Sequence, residues 1–132
     1  MLAEFPGDVR LIFKDRPLTG HALARPAHEA ARCAGAAGSY WPYHDRLFAE
    51  QPRFEREQLI RYAVELGLGR EEFARCLDER RHAAAVERDV AEAQALGITS
   101  TPTFLINGHA VVGALAVDDL RRLVNDALRP RR

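Results

Sequence analysis

Lysine is almost missing from this chain: of 19 basic residues only Lys14 is not arginine. Together with abundant alanine, that bias reads as the mark of a GC-rich genome rather than as a binding device. Cysteine is nearly as scarce, with two in 132 residues. Two cannot build a disulfide scaffold. Cys33 and Cys76 are also too far apart in sequence for a C-x-x-C pair or for the paired spacing of a zinc site. Net charge is absent as well, because 19 acidic residues cancel the basic ones. No broad positive field is left for nucleic acid, so no nucleic-acid partner is expected. No apolar run reaches the ~18 residues that a membrane-spanning helix needs. The start, Met1-Leu2-Ala3-Glu4-Phe5-Pro6, shows no basic segment followed by an apolar one, so no signal peptide is visible. Glycine-rich phosphate loops, G-x-S-x-G elbows, repeats and low-complexity tracts are missing too.

What is present can fill a core. Hydrophobic residues make up 47% of the chain, enough for one folded domain. Val9-Arg10-Leu11-Ile12-Phe13 follows the turn signal Pro6-Gly7-Asp8 and predicts a strand that ends near Pro17. From Thr19 to Leu96 the pattern turns helical. Ala27, Ala30, Ala31 and Ala34 recur at three- and four-residue steps within Ala22–Ala37. A second stripe, Trp41, His44, Leu47 and Phe48, opens behind Ser39 as the expected N-cap. Phe54–Leu66 turns Leu59, Ile60, Ala63 and Leu66 to one side, and Arg70–Glu79 turns Phe73, Cys76 and Leu77 inward. Arg80–Leu96 carries Ala83, Val86, Val90, Ala93 and Leu96 at helical period. Beyond Gly97 the character changes. Thr101–Ile106 and His109–Gly113 flank Asn107-Gly108, a strong two-residue hairpin signal. Val117, Leu120, Val124 and Leu128 form the inner face of a closing helix.

Few side chains suggest chemistry. His28 with Cys33, and Cys76 with His82, are five and six positions apart. That spacing does not align them on one helix face, so no metal site is expected. His44 beside Asp45 reads as packing and capping. Glu71-Glu72 and Asp118-Asp119 fall near helix starts, where the dipole favours negative charge. Arg80-Arg81 and Arg121-Arg122 read as solvated faces.

Thr101-Pro102-Thr103-Phe104-Leu105-Ile106-Asn107-Gly108, then Val112-Gly113 and a closing helix, resembles the C-terminal half of the thioredoxin fold. The resemblance is closest to the DsbA-like thiol-disulfide oxidoreductases, a bacterial family. Ala34-Gly35 through Ser39-Tyr40-Trp41, with His44-Asp45 and Leu47-Phe48, is similar to that family's A-G-x-x-G-x-x-W-x-x-H-D-x-L-F run. Leu96-Gly97-Ile98-Thr99-Ser100-Thr101-Pro102-Thr103-Phe104 is similar to its L-G-V-x-G-T-P-T-F run, and Pro6-Gly7-Asp8-Val9 and Pro17-Leu18 also fit. The likeness covers nearly the whole chain. It implies an α/β thioredoxin-like fold with an inserted helical domain: residues 1–18 and 97–132 as the thioredoxin-like portion, residues 19–96 as the insert.

The departure from the family is large. Its C-x-x-C, at the head of the helix after a central strand, precedes the segment matching Leu2–Val9, and this chain begins at Met1. The resemblance therefore implies an incomplete sheet, no catalytic residue in this chain, and a redox-inactive domain of disulfide-oxidoreductase type. Ser100, Thr101 and Pro102 are implied as the substrate-binding loop, with a cis Thr101–Pro102 bond facing protein or peptide thiol and disulfide substrates. No cofactor is implied, and the setting of the family is mostly extracytoplasmic. Cys33 and Cys76 keep two readings: small buried hydrophobes, or a structural disulfide tying two helices, as relatives with similar residues at both positions imply. Two alternatives for the function stand beside the first. One is a non-catalytic peptide-binding module, and the other is a glutathione-using or isomerase-type relative of the kappa-class transferase group.

In the thioredoxin arrangement the missing strand lies between Val9–Phe13 and Thr103–Ile106. Open edges recruit strands. The two strands collapse together, a second copy fills the slot, or a longer native chain carries the missing unit. The isolated chain is expected to be oligomeric or poorly stable.

Overall fold

The computed structural model describes residues 1–130. The chain divides into two compact units, one of residues 15–92 and one of residues 1–14 with the chain from Ala93 onward.

The first unit is helical. It contains α1 (Ala24–Ala36), α2 (Tyr40–Glu50), α3 (Arg56–Glu65), α4 (Arg70–Asp78) and most of α5 (Ala83–Ala95). The alanine stripe of α1 is its floor: Ala27, Ala30, Ala31 and Ala34 are buried with Cys33. Small side chains let neighbouring helices come close, and the larger Tyr43 and Leu47 of α2, Leu59, Ile60, Tyr62 and Ala63 of α3, and Phe73, Cys76 and Leu77 of α4 fill the space above. Pro26 sits in the first turn of α1, where a missing N–H costs nothing. The helix stops at Gly38, whose φ of +85° starts a reversal closed by Gly38 N–H to Gly35 O and Ser39 N–H to Ala34 O. Gly35 is fixed by proximity: a Cβ there would stand 3.3 Å from the Tyr40 ring. Ser39 occupies the N-cap position of α2 as expected, but its side chain makes no capping hydrogen bond. Tyr43 crosses the core and donates to the Leu59 carbonyl at 2.8 Å. Burial drives its phenol far above the ordinary range.

The second unit holds a 3-10 turn (Leu2–Glu4), the hairpin strands β1 (Thr103–Ile106) and β2 (His109–Val112), and α6 (Val117–Leu128). The hairpin turns at Asn107-Gly108, with φ of +49° and +85°, and pairs Thr103 with Val112 through Ile106 with His109. β1 starts two residues later than expected, because Thr101 and Pro102 form a bend before the ladder.

Several expectations fail in this unit. Val9–Phe13 is in no strand, and among the described residues the sheet has only β1 and β2. β-propensity alone cannot make a strand, which exists only as far as a neighbour accepts its backbone hydrogen bonds. Val117 and Leu128, expected inward on α6, are exposed, and so is Leu96 after α5. Only Val124 of the α6 stripe is buried. In the helical unit Trp41 and Phe48 of the α2 stripe are likewise exposed. These side chains keep the right period, but each is left more than a third exposed.

Candidate functional site

The bend before β1 is the first candidate site. Its Thr101–Pro102 peptide bond is cis. Ser100, Thr101 and Pro102 are all exposed. Two hydrogen bonds fix the bend from either side: Thr103 Oγ1 donates to the Ser100 carbonyl at 2.8 Å, and Gly113 N–H donates to the Pro102 carbonyl at 2.8 Å. Thr101 keeps its backbone N–H and C=O clear of any partner among the described residues. An exposed, pinned backbone with one unpaired donor and acceptor can hold an extended peptide by main-chain pairing.

No free thiol is available to act on such a peptide. Cys33 and Cys76 are joined as a disulfide between α1 and α4, and no free cysteine remains. Their Cα atoms lie 6.1 Å apart, well within disulfide range. Thiol-disulfide exchange needs a thiolate to attack and a second thiol to resolve. The sequence places neither at a helix N-terminus.

The polar groups of the helical unit meet in two places that sequence reasoning missed. The first surrounds Asp15. Its carboxylate accepts from His28 Nδ1 at 2.8 Å and from Arg32 Nε at 2.5 Å. Arg32 also donates to Asp89 at 2.7 Å, and Asp89 accepts the Asp15 backbone N–H at 2.9 Å. Burial works to raise the Asp15 pKa, but the hydrogen bonds and charges of His28 and Arg32 outweigh it and hold the carboxyl below its usual range. Asp15 and Asp89 are 74 residues apart, so spacing gives no hint of the pair. The one available signal was a cation, Arg32, inside an alanine-rich stripe.

The second place joins groups that the sequence reading kept apart. Arg80 is exposed, as expected of a solvated face, but it also pairs at two points with Glu29, a buried carboxylate of α1. Beside that pair, the sulfurs of Cys33 and Cys76 and a ring nitrogen of His82 lie within 4.8 Å of one another. The spacing argument against metal ligands considered each helix alone. Here Cys33 comes from α1, Cys76 from α4 and His82 from the turn before α5, a meeting that no local periodicity can report. The remaining histidine expectation is met by packing: His44 stacks among Trp41 and Phe48, at 5.1 and 4.7 Å between ring centres, and its Nδ1 lies 3.0 Å from Asp45.

Residues 2–126 match the thioredoxin family. The chain is 35% identical to "Na(+)/H(+) antiporter NhaA 1" of Salinispora arenicola, covering 99% of this chain and 21% of that protein. It is 35% identical to "Na(+)/H(+) antiporter NhaA 3" of Salinispora tropica, over 94% of this chain and 19% of the relative. It is 39% identical to "Na(+)/H(+) antiporter NhaA" of Herminiimonas arsenicoxydans, over 85% and 18%. The chain thus spans about a fifth of the length of the curated relatives it matches. No solved structure matches it. Among the described residues no helix is long and apolar enough to cross a membrane.

Proposed function

The chain belongs to the thioredoxin family, and from that premise we propose that it is the peptide-holding portion of a DsbA-type thiol-disulfide oxidoreductase module. Residues 19–96, most of which lie in the helical unit, serve as the inserted helical domain. Ser100, Thr101 and Pro102 hold the substrate, and the dithiol chemistry is not in this chain. The observation that carries this reading is the exposed bend at Thr101–Pro102, pinned on both sides, with the unpartnered Thr101 backbone. An extended peptide lies along the bend and pairs with Thr101, continuing towards the open edge of β1. The same edge accepts a second copy of the chain where no peptide is present.

A second reading, a peptide-binding module without any redox partner, shares the binding step and differs only in lacking a thiol exchange after it. The ion exchange in the relatives' names belongs to proteins about five times as long, and the bend supports no part of it. One pair of experiments tests the proposal. Titration with a reduced, unstructured peptide is expected to give saturable binding that Thr101→Pro, which removes the pairing N–H, abolishes. Insulin reduction by dithiothreitol is expected to proceed at its uncatalysed rate in the presence of the chain. Binding that survives Thr101→Pro rejects the assigned loop. A glutathione-dependent rise in melting temperature favours the kappa-class alternative.

A further inference from the structure

The clearest anomaly outside the bend is the end of α4. Helix α1 stops on Gly38 with a left-handed residue and a reversed pair of hydrogen bonds. Helix α4 stops in the same way: Arg80 N–H donates to Leu77 O at 3.1 Å and Arg81 N–H donates to Cys76 O at 3.2 Å. Its left-handed residue, however, is Arg80, at φ +49°. A side chain in that region carries a conformational cost that glycine avoids. What Arg80 gains is a two-point pairing with Glu29, Nε to Oε1 at 3.2 Å and Nη2 to Oε2 at 2.9 Å. Glu29 is 3% exposed and stands one turn before Cys33 on α1. The pairing therefore clamps the end of α4 to the stretch of α1 that carries Cys33. His82, next after the reversal, is brought back towards Cys76 as the chain enters α5. Its half-buried imidazole has no hydrogen-bond or ion-pair partner among the described residues.

We propose that Cys33, Cys76 and His82 form a redox-gated site for a borderline-soft divalent cation of the zinc type. While the disulfide stands, the sulfurs have no charge to offer and the site is closed. A small dithiol opens it. Two electrons and two protons pass to the S–S bond, giving two thiols, and the reductant leaves as its own disulfide. The cation then displaces both thiol protons and forms two metal–sulfur bonds and one bond to a neutral His82 nitrogen, with water as the fourth ligand. Two thiolates balance the charge of the divalent ion.

Three observations support the site. The donor set, two thiolates and an imidazole, selects zinc-like ions over magnesium or calcium. The donor atoms already lie within 4.8 Å, and tetrahedral coordination at ~2.3 Å from sulfur needs them ~3.8 Å apart or closer. The Glu29–Arg80 clamp and the helix core hold α1 and α4 together without the disulfide, so the donors stay in reach after reduction. None of these residues belongs to the bend, so the site stands apart from the peptide-binding reading.

The test uses the whole chain, reduced with a phosphine and kept free of oxygen, with cobalt(II) and zinc(II) salts as probes. Reduced protein is expected to bind one cobalt per chain, with a thiolate-to-cobalt charge-transfer band and tetrahedral visible absorption, both erased by zinc. Oxidised protein is expected to bind none. His82→Ala is expected to weaken cobalt binding about tenfold or more and alter the visible bands, while Cys76→Ser removes the charge-transfer intensity of one sulfur. Circular dichroism confirms that each species is folded. The proposal is overturned by a folded, reduced chain with no thiolate–cobalt band, by His82→Ala binding as tightly as the parent, or by a chain that unfolds on reduction alone.

Discussion

The two units of this protein differ less in composition than in what covers their apolar side chains. In residues 15–92 the helices α1 to α4 close a core of their own, and the largest side chains, Tyr43 and Tyr62, are fully buried. In the unit that holds the sheet, Ala93 and Val124 are the buried apolar residues, while Leu11, Ile12, Leu105, Val112 and Val117 are all about half exposed or more. The lesson concerns range. Helices satisfy their backbone internally and need only a neighbour for one face. A strand needs partners for its backbone as well as for its side chains, so a two-stranded sheet leaves both unmet at its open edges.

The sharpest way to break this contrast is to open the helical core. Tyr43→Ala is expected to cost about 3–5 kcal/mol, from the cavity left by a fully buried ring and from the Leu59 carbonyl that loses its donor. Denaturant unfolding followed by circular dichroism measures it. A loss below about 1 kcal/mol would mean that the two units are alike after all.

A smaller effect is expected at Asp15. Because its native pKa lies below the ordinary value of 3.8, its contribution is fully present above that value. It is lost as pH falls through the lower native value, where the folded carboxylate at last takes up its proton. Asp15→Asn is expected to cost about 1–3 kcal/mol at neutral pH, with part of the gain moderated by solvent around Arg32. It is also expected to flatten the fall in stability below about pH 4. Urea midpoints from pH 3 to 7 for parent and variant check both statements, and parallel curves would remove Asp15 from the account.

The smallest effect on stability is expected in the other unit, where it sharpens the contrast. Leu11→Ser with Ile12→Ser changes exposed positions and is expected to shift unfolding by no more than ~0.5 kcal/mol. The same pair is expected to reduce association between copies, seen by light scattering at rising concentration. A large destabilisation would show that these residues are covered in solution.

Much of the architecture was legible in the amino-acid order. The alanine steps at Ala27, Ala30, Ala31 and Ala34 and the Asn107-Gly108 hairpin carry their own structural instructions, because helix period and turn chemistry are local. The sequence also singled out the Thr101–Pro102 bend, through a resemblance rather than through periodicity. The strand expected at Val9–Phe13 and the inward positions of Val117, Leu128 and Leu96 failed because local pattern states which face is apolar, not whether anything lies upon it. The Asp15–His28–Arg32–Asp89 network, the Glu29–Arg80 clamp and the approach of His82 to Cys33 and Cys76 left no trace in spacing at all.

By itself, then, the order of residues determined the helices, the hairpin and the absence of a C-x-x-C, since each depends on neighbours a few positions away. Which charges are buried together, whether the two cysteines meet, and which apolar faces stay open to water were decided by tertiary structure. Those outcomes depend on groups dozens of residues apart, and only the folded chain brings such groups within the few ångströms over which hydrogen bonds, ion pairs and sulfur chemistry act.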